Sequence, residues 1–160
     1  MKKLNNIISL TGNKSSGKLE LGLKLAENTA IGFVKAYTDR PSDDLWIDCY
    51  NFVSSDKLDD LIKEREVLHQ TKIGKWRYVF FTDQLVDPYN VMILDDYGVV
   101  DVNSKYKKVM YTVKVTSKHE KPSERVGVYL YDHEFDEVFD FDNGELEELE
   151  WMIESNLPLK

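Results

Sequence analysis

The chain has 160 residues, of which 42% are hydrophobic and 31% are charged, and this ordinary composition predicts one soluble globular domain with its own core. Its formal net charge is −8, and Lys and Arg are absent from residue 126 to residue 159. Such a surface repels phosphate backbones, which excludes nucleic acid as an expected partner, whereas it would suit either a basic protein partner or a solvated face that aids solubility.

Strands and helices alternate along the chain, and the middle section is the richest in strands. Residues 6–11 are predicted to form a short buried strand, residues 12–18 a glycine-bounded loop, and residues 19–30 a helix with an apolar stripe. The other predicted strands cover residues 32–37, 49–53, 67–73, 76–81, 90–94, 109–115 and 137–141. The other predicted helices cover residues 56–65, the segment after Asn143-Gly144 and, less distinctly because of β-branched residues, residues 123–131. This alternation predicts an α/β fold with a mainly parallel sheet flanked by helices, and a small mixed-β lobe.

The sequence also bounds the compartment. No apolar run approaches the roughly 20 residues that a membrane span needs, and the first apolar stretch, from Ile7 to Leu10, is too short for a signal peptide. The single cysteine, Cys49, cannot form an internal disulfide, which favours a reducing compartment. We therefore expect a cytoplasmic protein without a membrane partner.

The strongest local motif is a glycine-bounded loop between the first predicted strand and the first predicted helix: Gly12-Asn13-Lys14-Ser15-Ser16-Gly17-Lys18. It has the spacing G-x-x-x-x-G-K of a phosphate-binding loop, or P-loop. Glycines let such a backbone curl so that successive N–H groups point at phosphate oxygens, and the helix adds the positive end of its dipole. Lys18 would reach the β- and γ-phosphates of a nucleotide. The motif predicts a nucleotide site over residues 12–19, although a chance glycine turn would show the same spacing.

The residue after Lys18 departs from the motif. That position usually carries a Ser or Thr whose hydroxyl binds magnesium, but here it is Leu19. A magnesium ion would therefore have to be held in another way. The three histidines, His69, His119 and His133, have neither metal-ligand spacing nor a cysteine partner, so no protein metal site is predicted.

Further motifs follow the loop in a fixed order. They are Thr38-Asp39-Arg40-Pro41, Tyr50-Asn51-Phe52, Gly74-Lys75-Trp76-Arg77-Tyr78 and Leu94-Asp95-Asp96-Tyr97-Gly98. This order resembles the guanylate kinase family over nearly the whole chain. The family has, in the same places, a Thr-Thr-Arg-x-Pro-Arg segment that grips a monophosphate, a Tyr-x-Phe strand, a Gly-Asn-Tyr-Tyr-Gly hairpin and a strand ending in Leu-Asp. Ser117, at the end of a later strand, and the C-terminal strand and helix also match.

The resemblance implies a fold and an activity. The fold is a P-loop NTPase-type sheet in a single domain over residues 1–160, with a nucleoside-monophosphate-binding lobe at about residues 38–82 and a lid reduced to about residues 118–125. The activity is transfer of the γ-phosphate of ATP to GMP or dGMP with the help of Mg²⁺.

The resemblance also implies roles for individual residues. Lys18 and Arg40 would supply positive charge to the transfer, with Lys14 as a further candidate within the loop. Arg40 and Tyr50 would bind the monophosphate. Asp95 or Asp96 would orient magnesium or a lysine, or would simply cap a loop.

Several family features are missing here. The second arginine of the monophosphate segment is replaced by Ser42-Asp43-Asp44, and the carboxylate that reads guanine falls near Leu68. Besides Lys14, Arg77 or Arg125 could substitute for the missing arginines.

Two functions therefore remain open. One is a nucleotide-binding kinase, which the intact glycines and Lys18 favour. The other is a catalytically inactive guanylate-kinase-like module that binds another protein, which Leu19 and the lost arginines favour. The short chain and the altered motifs would also suit a phage or mobile-element protein.

Overall fold

The computed structural model describes residues 6–28, 31–42, 48–106, 110–120 and 130–156. In chain order its elements are β1 (Asn6–Thr11), α1 (Lys18–Asn28), β2 (Gly32–Phe33), β3 (Ala36–Thr38), β4 (Tyr50–Phe52), α2 (Ser55–Glu64), β5 (Val67–Ile73), β6 (Trp76–Phe81), β7 (Tyr89–Ile93), α3 (Asp96–Lys105), β8 (Met110–Thr116), β9 (Glu137–Asp140) and α4 (Leu146–Asn156). Single 3-10 turns lie at Thr82–Gln84 and Asp132–Glu134.

The larger sheet has five parallel strands in the order β2-β7-β1-β8-β9. The connection after β1 leads to the β2–β7 side and the connection after β8 leads to β9, so the strand order reverses between β1 and β8. Leu10 of β1 lies beside Ile93 of β7 and Val113 of β8, and the three strands end at one edge. Open α/β sheets bind ligands at such an edge. The predicted mainly parallel α/β fold is confirmed.

Two apolar layers cover the faces of this sheet, because side chains along a strand alternate. On one face, Ile8 and Leu10 pack with Leu25 of α1 and Leu149 of α4, and all four are fully buried. The other face joins the sheet to α3 and to the smaller sheet through Ile7, Leu68, Phe80, Met92, Val99 and Val102.

The smaller sheet has four strands in the order β4-β3-β6-β5. β3 runs parallel to β4 and antiparallel to β6, and β5 and β6 form a hairpin, so the predicted mixed-β character is confirmed. Helix α2 covers one face, where Leu58 and Leu61 pack on Val79 and Phe81. Side chains that alternate with these two β6 residues lie on the face opposite α2.

Most predicted elements are confirmed, and β1, β5 and β6 have the predicted bounds. The single strand predicted over residues 32–37 is wrong, because β2 and β3 belong to different sheets. The N–H of Val34 still donates to the carbonyl of Val91 at 3.0 Å in the larger sheet. The chain then crosses over at Lys35, whose carbonyl accepts from the side-chain amides of Asn51 at 3.1 Å and Gln84 at 2.6 Å. An unbroken apolar run does not reveal such a change of sheet.

Helix α3 is not predicted by the sequence, because Gly98 and several valines disfavour a helix. In the structure, the Oδ1 of Asp95 accepts from the N–H of Gly98 at 2.7 Å and caps the helix. Val99 and Val102 are buried against the large sheet. The cap and the packing together outweigh the weak propensity.

Some expectations fall outside the described residues, namely residues 123–129 of the element predicted over 123–131, Arg125 and the lid beyond residue 120. The boundaries of lobe and lid remain predictions. None of the helices in the described part of the chain combines the length and the apolar character that a membrane crossing requires.

Candidate functional site

The predicted phosphate loop lies between the central strand β1 and helix α1, at the edge where the parallel strands end. The N–H of Ser16 donates to the carbonyl of Asn13 at 3.1 Å, which closes the turn. Ser15 and Gly17 have positive φ angles of 64° and 90°. The Nζ of Lys18 donates to the same Asn13 carbonyl at 3.3 Å, so the ammonium group lies at the loop itself. This turned-back backbone with a cation beside it has the shape of a phosphate site.

Two glycines of the loop stand where a side chain has no room. A Cβ on Gly12 would lie 2.5 Å from the Oγ of Ser16 and 2.6 Å from the carbonyl oxygen of Val115. A Cβ on Gly17 would lie 2.6 Å from the ring of Phe141. The loop therefore packs its bare backbone against the end of β8 and the segment after β9, and its shape requires glycine at both positions.

Two hydroxyls at the loop lack a partner. The side-chain oxygens of Ser16 and Thr11 are fully buried, and neither has a hydrogen-bond partner among the described residues. Buried hydroxyls ordinarily have one, so each exception requires an explanation. The Oγ of Ser16 lies against Gly12, between the two ends of the loop. A phosphate oxygen held by the loop would explain the unpaired hydroxyl of Ser16.

A cavity of about 390 Å³ lies beside the loop, at the ends of β8 and β9. It is lined by Thr116, Ser117, Lys118, Asp140, Asp142 and Asn143. Phe141 lies between the lining residues Asp140 and Asp142 in the chain, and its ring covers Gly17, so the cavity is next to the loop. Its volume is in the range typical of small-molecule sites.

A second cluster lies on the face of the smaller sheet opposite α2, beside the part of that face that packs on the larger sheet. Arg77 and Val79 face α2, so Tyr78 between them faces the other way. The Nη1 of Arg40 donates to the hydroxyl of Tyr78 at 3.4 Å, and the guanidinium lies 6.0 Å from the ring centroid of Tyr50. The rings of Tyr50 and Tyr78 are 5.6 Å apart. We call Arg40, Tyr50 and Tyr78 the tyrosine–arginine site.

The protonation of Tyr50 suits a hydrogen-bond donor. Burial, with a smaller contribution from Tyr78, raises the pKa of Tyr50 to about 12, so its hydroxyl keeps its proton at neutral pH. A permanent positive charge on Arg40 beside phenolic donors is an arrangement that binds anions. A cavity of about 730 Å³ opens next to it, lined by Arg40, Pro41, Ser42, Ile73, Trp76 and Tyr78.

The fold with these two sites is similar to that of a solved kinase. The chain aligns with the crystal structure of guanylate kinase from Anaplasma phagocytophilum with a TM-score of 0.62 over 97% of this chain and 85% of that chain. This chain has a guanylate-kinase-like fold. The aligned residues are 15% identical, a level at which the likeness shows the fold alone. No protein-family model matches the sequence, and no curated protein matches it.

The loop fits phosphate but not magnesium. The glycine backbone, Lys18 and the unpaired Ser16 hydroxyl suit a polyphosphate. Leu19 offers no oxygen where P-loops place the magnesium-binding hydroxyl. Among the residues that the structure describes, no group of three or more His, Cys, Asp or Glu could hold a metal ion.

Asp95 and Asp96 lie at the same edge as the loop, because the N–H of Leu94 donates to the carbonyl of Leu10 at 3.1 Å. Asp95 caps α3, as described above. Asp96 is 2% exposed, and its Oδ2 accepts from the N–H of Leu130 at 2.7 Å. Each carboxylate thus has a structural partner, and a ligand-binding role for either remains a prediction.

The structure gives Arg77 a different role from the predicted one. Its Nε lies 3.0 Å from Asp39, its Nη1 2.5 Å from Asp59, and its Nη2 donates to Ser55. Asp59 and Ser55 fasten β6 to α2, and Asp39 fastens it to the end of β3. Arg77 therefore lies on the face opposite Tyr78 and does not join the tyrosine–arginine site. Arg40 and Tyr50, in contrast, lie next to each other at the smaller sheet, and their role in binding a monophosphate remains a prediction.

Tyr78 is the residue that the sequence analysis missed. In the sequence it stands out only as the last residue of the hairpin motif Gly74-Lys75-Trp76-Arg77-Tyr78. The signal that could have found it is the alternation along β6. Arg77 and Val79 share one face with α2, and this places Tyr78 beside Arg40 on the other.

Proposed function

We propose that this chain binds a nucleotide polyphosphate at the loop over residues 12–19 and a nucleoside monophosphate at the tyrosine–arginine site, and that it transfers the γ-phosphate of ATP to GMP or dGMP. The observation that carries the proposal is the loop, whose glycines lie too close to neighbouring atoms for any side chain. With Lys18 at its end and an 11-residue helix behind it, the loop directs N–H donors and positive charge to one place.

The tyrosine–arginine site supports the second half of the proposal. Its three side chains combine one fixed positive charge with phenolic donors at one place. A monophosphate there would be held by charge-assisted hydrogen bonds. The adjoining 730 Å³ cavity offers room for the nucleoside.

Phosphoryl transfer between two such sites requires little covalent chemistry from the protein. It requires two nucleotides in line and positive charge near the transferred group. The proposed sources of that charge are Lys14 and Lys18 on the loop and Arg40 just after β3 of the smaller sheet. The guanylate-kinase-like fold supports ATP as the donor, since the resemblance implies it.

A coupled ADP-release assay tests the transfer, with ATP and each ribonucleoside and deoxyribonucleoside monophosphate offered in turn. We expect turnover with a guanine monophosphate, reduced by about 10²-fold or more in Lys18→Ala, because that change removes a donor aimed at the phosphates. Lys63→Ala, at an exposed position in the last turn of α2, is the matched control and should leave the rate unchanged. Absence of turnover with every monophosphate would sink the kinase function.

A catalytically inactive binding module is the alternative, and two observations favour it. Leu19 replaces the hydroxyl of the magnesium position, and the contacts of Arg77 remove a candidate substitute for the missing arginine. Under this alternative the chain holds a protein partner and turns over no nucleotide. Nucleotide binding measured by calorimetry together with no ADP release would support it.

A further inference from the structure

The loop lacks the protein group that ordinarily holds magnesium beside bound phosphates. Leu19 stands in that place, in the first turn of α1, and its side chain is a hydrocarbon. Glu20 follows and is exposed, but one step along a helix rotates a side chain by about 100°. Its carboxylate therefore points away from the direction in which the missing hydroxyl would lie.

The other hydroxyls at the loop do not replace it. Ser16 and Thr11 have fully buried oxygens. Magnesium keeps several water molecules in a near-ideal octahedron when it binds protein and phosphate together. Neither oxygen lies at the position after the loop lysine, where P-loops place the hydroxyl that binds such a hydrated ion.

The nearby carboxylates have other partners. The Oδ1 of Asp95 accepts from Gly98, and the Oδ2 of Asp96 accepts from Leu130. At the neighbouring cavity, Asp140 accepts from the N–H of Asp142 at 3.0 Å, and Asp142 accepts from the N–H of Lys118 at 2.8 Å. Each of these bonds engages one carboxylate oxygen with a backbone N–H, and among the described residues no three carboxylates come together as a group that could hold a metal ion.

Lysines supply the positive charge that an ion would otherwise bring. Lys14 lies within the loop and is exposed, and Lys18 lies at its end with its Nζ 3.3 Å from the Asn13 carbonyl. Lys118 lines the adjoining cavity. An ammonium group acts on phosphate as a point charge, and two or three of them offset much of a polyphosphate's charge.

We propose that the loop binds nucleotide phosphates without magnesium, with Lys14 and Lys18 in the place of the ion, so that metal-free nucleotide binds at least as tightly as its magnesium complex. This inference deepens the proposed function and rests on it. It names Leu19, which offers no oxygen, as the reason why the loop does not hold magnesium.

Titration calorimetry with ADP tests the inference, once with excess magnesium and once with EDTA. In the native chain we expect the dissociation constant in EDTA to be equal to or below that in magnesium. Leu19→Thr restores the hydroxyl, and there magnesium should tighten binding by at least about fivefold, the lower range of ordinary coupling between two ligands. Leu19→Ala is the matched control, since it removes the same hydrocarbon without adding oxygen, and it should remain insensitive to magnesium.

The possible outcomes test binding without magnesium separately from the proposed nucleotide site. Native binding that is tighter with magnesium by about fivefold or more, the gain expected of Leu19→Thr, would overturn the inference and leave the nucleotide site standing. A Leu19→Thr variant that folds by circular dichroism, binds ADP and gains no magnesium dependence would overturn the assignment to position 19. Absence of ADP binding under both conditions would overturn the proposed function, and this inference with it.

Discussion

Gly17 and Gly74 share a backbone conformation that side chains rarely adopt, but their surroundings differ. Their φ angles are 90° and 62°. A Cβ on Gly17 would meet the Phe141 ring at 2.6 Å, whereas one on Gly74 would have nothing within 4 Å. A side chain would strain the backbone at both positions, but only at Gly17 would it also meet Phe141. Comparing substitutions at the two glycines therefore separates the effect of backbone strain from the effect of packing on Phe141.

We expect Gly17→Ala to lower the free energy of unfolding by roughly 2–4 kcal/mol, because it adds overpacking to strain, and Gly74→Ala to lower it by roughly 1–2 kcal/mol through strain alone. Only Gly17→Ala should also abolish ADP binding. Urea unfolding and calorimetry measure the two effects. Equal losses of stability in both variants would show that contact with Phe141 is not what requires a glycine at residue 17.

The residues of the proposed site differ in how far the sequence could predict them. Gly12, Gly17 and Lys18 follow from spacing alone, because a loop is a local structure. Arg40 and Tyr50 required the resemblance to a family. Tyr78 and the partners of Arg77 depend on which strands pair, and such contacts between distant segments leave no local trace.

At the scale of elements, Arg77 of β6 is the centre of a salt-bridge clamp that holds Asp39, just after β3, and Asp59 of α2. Asp39 is 7% exposed at its side chain and accepts from both the backbone N–H and the Nε of Arg77, whereas Asp59 is 51% exposed. Burial alone would raise the pKa of Asp39, but the hydrogen bonds and the charge of Arg77 outweigh it and lower that pKa. The buried half of the clamp is therefore the half that contributes most to stability.

Asp39→Asn should lower the free energy of unfolding by about 2–3 kcal/mol, because it weakens a largely buried pair, while Asp59→Asn should change it by less than about 1 kcal/mol. Both changes remove one charge that contacts the same arginine, so each is the control of the other. Thermal or urea unfolding at neutral pH makes the comparison. If Asp59→Asn were the more damaging change, burial would not decide which half of the clamp contributes more to stability.

The elements themselves were largely predictable where one signal acted alone. β1 and the β5–β6 hairpin have clear β-prone runs bounded by glycine, and their bounds were predicted without error. α3 was not, since a cap and burial outweigh its poor propensity. The division of residues 32–37 between β2 and β3 reflects pairing with distant strands, which local periodicity does not encode.

At the scale of the whole molecule, a largely buried hydrogen bond between His69 and Asp101 links the two sheets. His69, on β5 of the smaller sheet, is 1% exposed, and its Nδ1 lies 2.7 Å from the Oδ2 of Asp101 on α3, which packs on the larger sheet. The Nζ of Lys105 lies 3.0 Å from the same oxygen but is on a side chain that is 46% exposed. Burial alone would raise the pKa of Asp101, but hydrogen bonds from His69 and Lys105 outweigh it and lower the pKa below 3.8.

The direction of this shift fixes a pH dependence. A carboxyl whose pKa is lowered by folding stabilises the folded state above its unfolded pKa, and the contribution is lost as pH falls through the folded value. We expect Asp101→Asn to lower the free energy of unfolding by about 1–2 kcal/mol at pH 7. This difference in unfolding free energy between the variant and the native chain should narrow progressively below about pH 3.8. Lys105→Gln, which removes only the exposed partner, should change stability by less than about 1 kcal/mol.

Urea unfolding at neutral pH and at about pH 3 measures how far the free energy of unfolding of each variant lies below that of the native chain. A gap for Asp101→Asn that is the same at the two pH values would show that the aspartate joins the sheets through packing rather than through its charge. A gap that closes in acid would instead assign part of the cohesion between the two sheets, and hence between the two proposed nucleotide sites, to one ionised carboxylate.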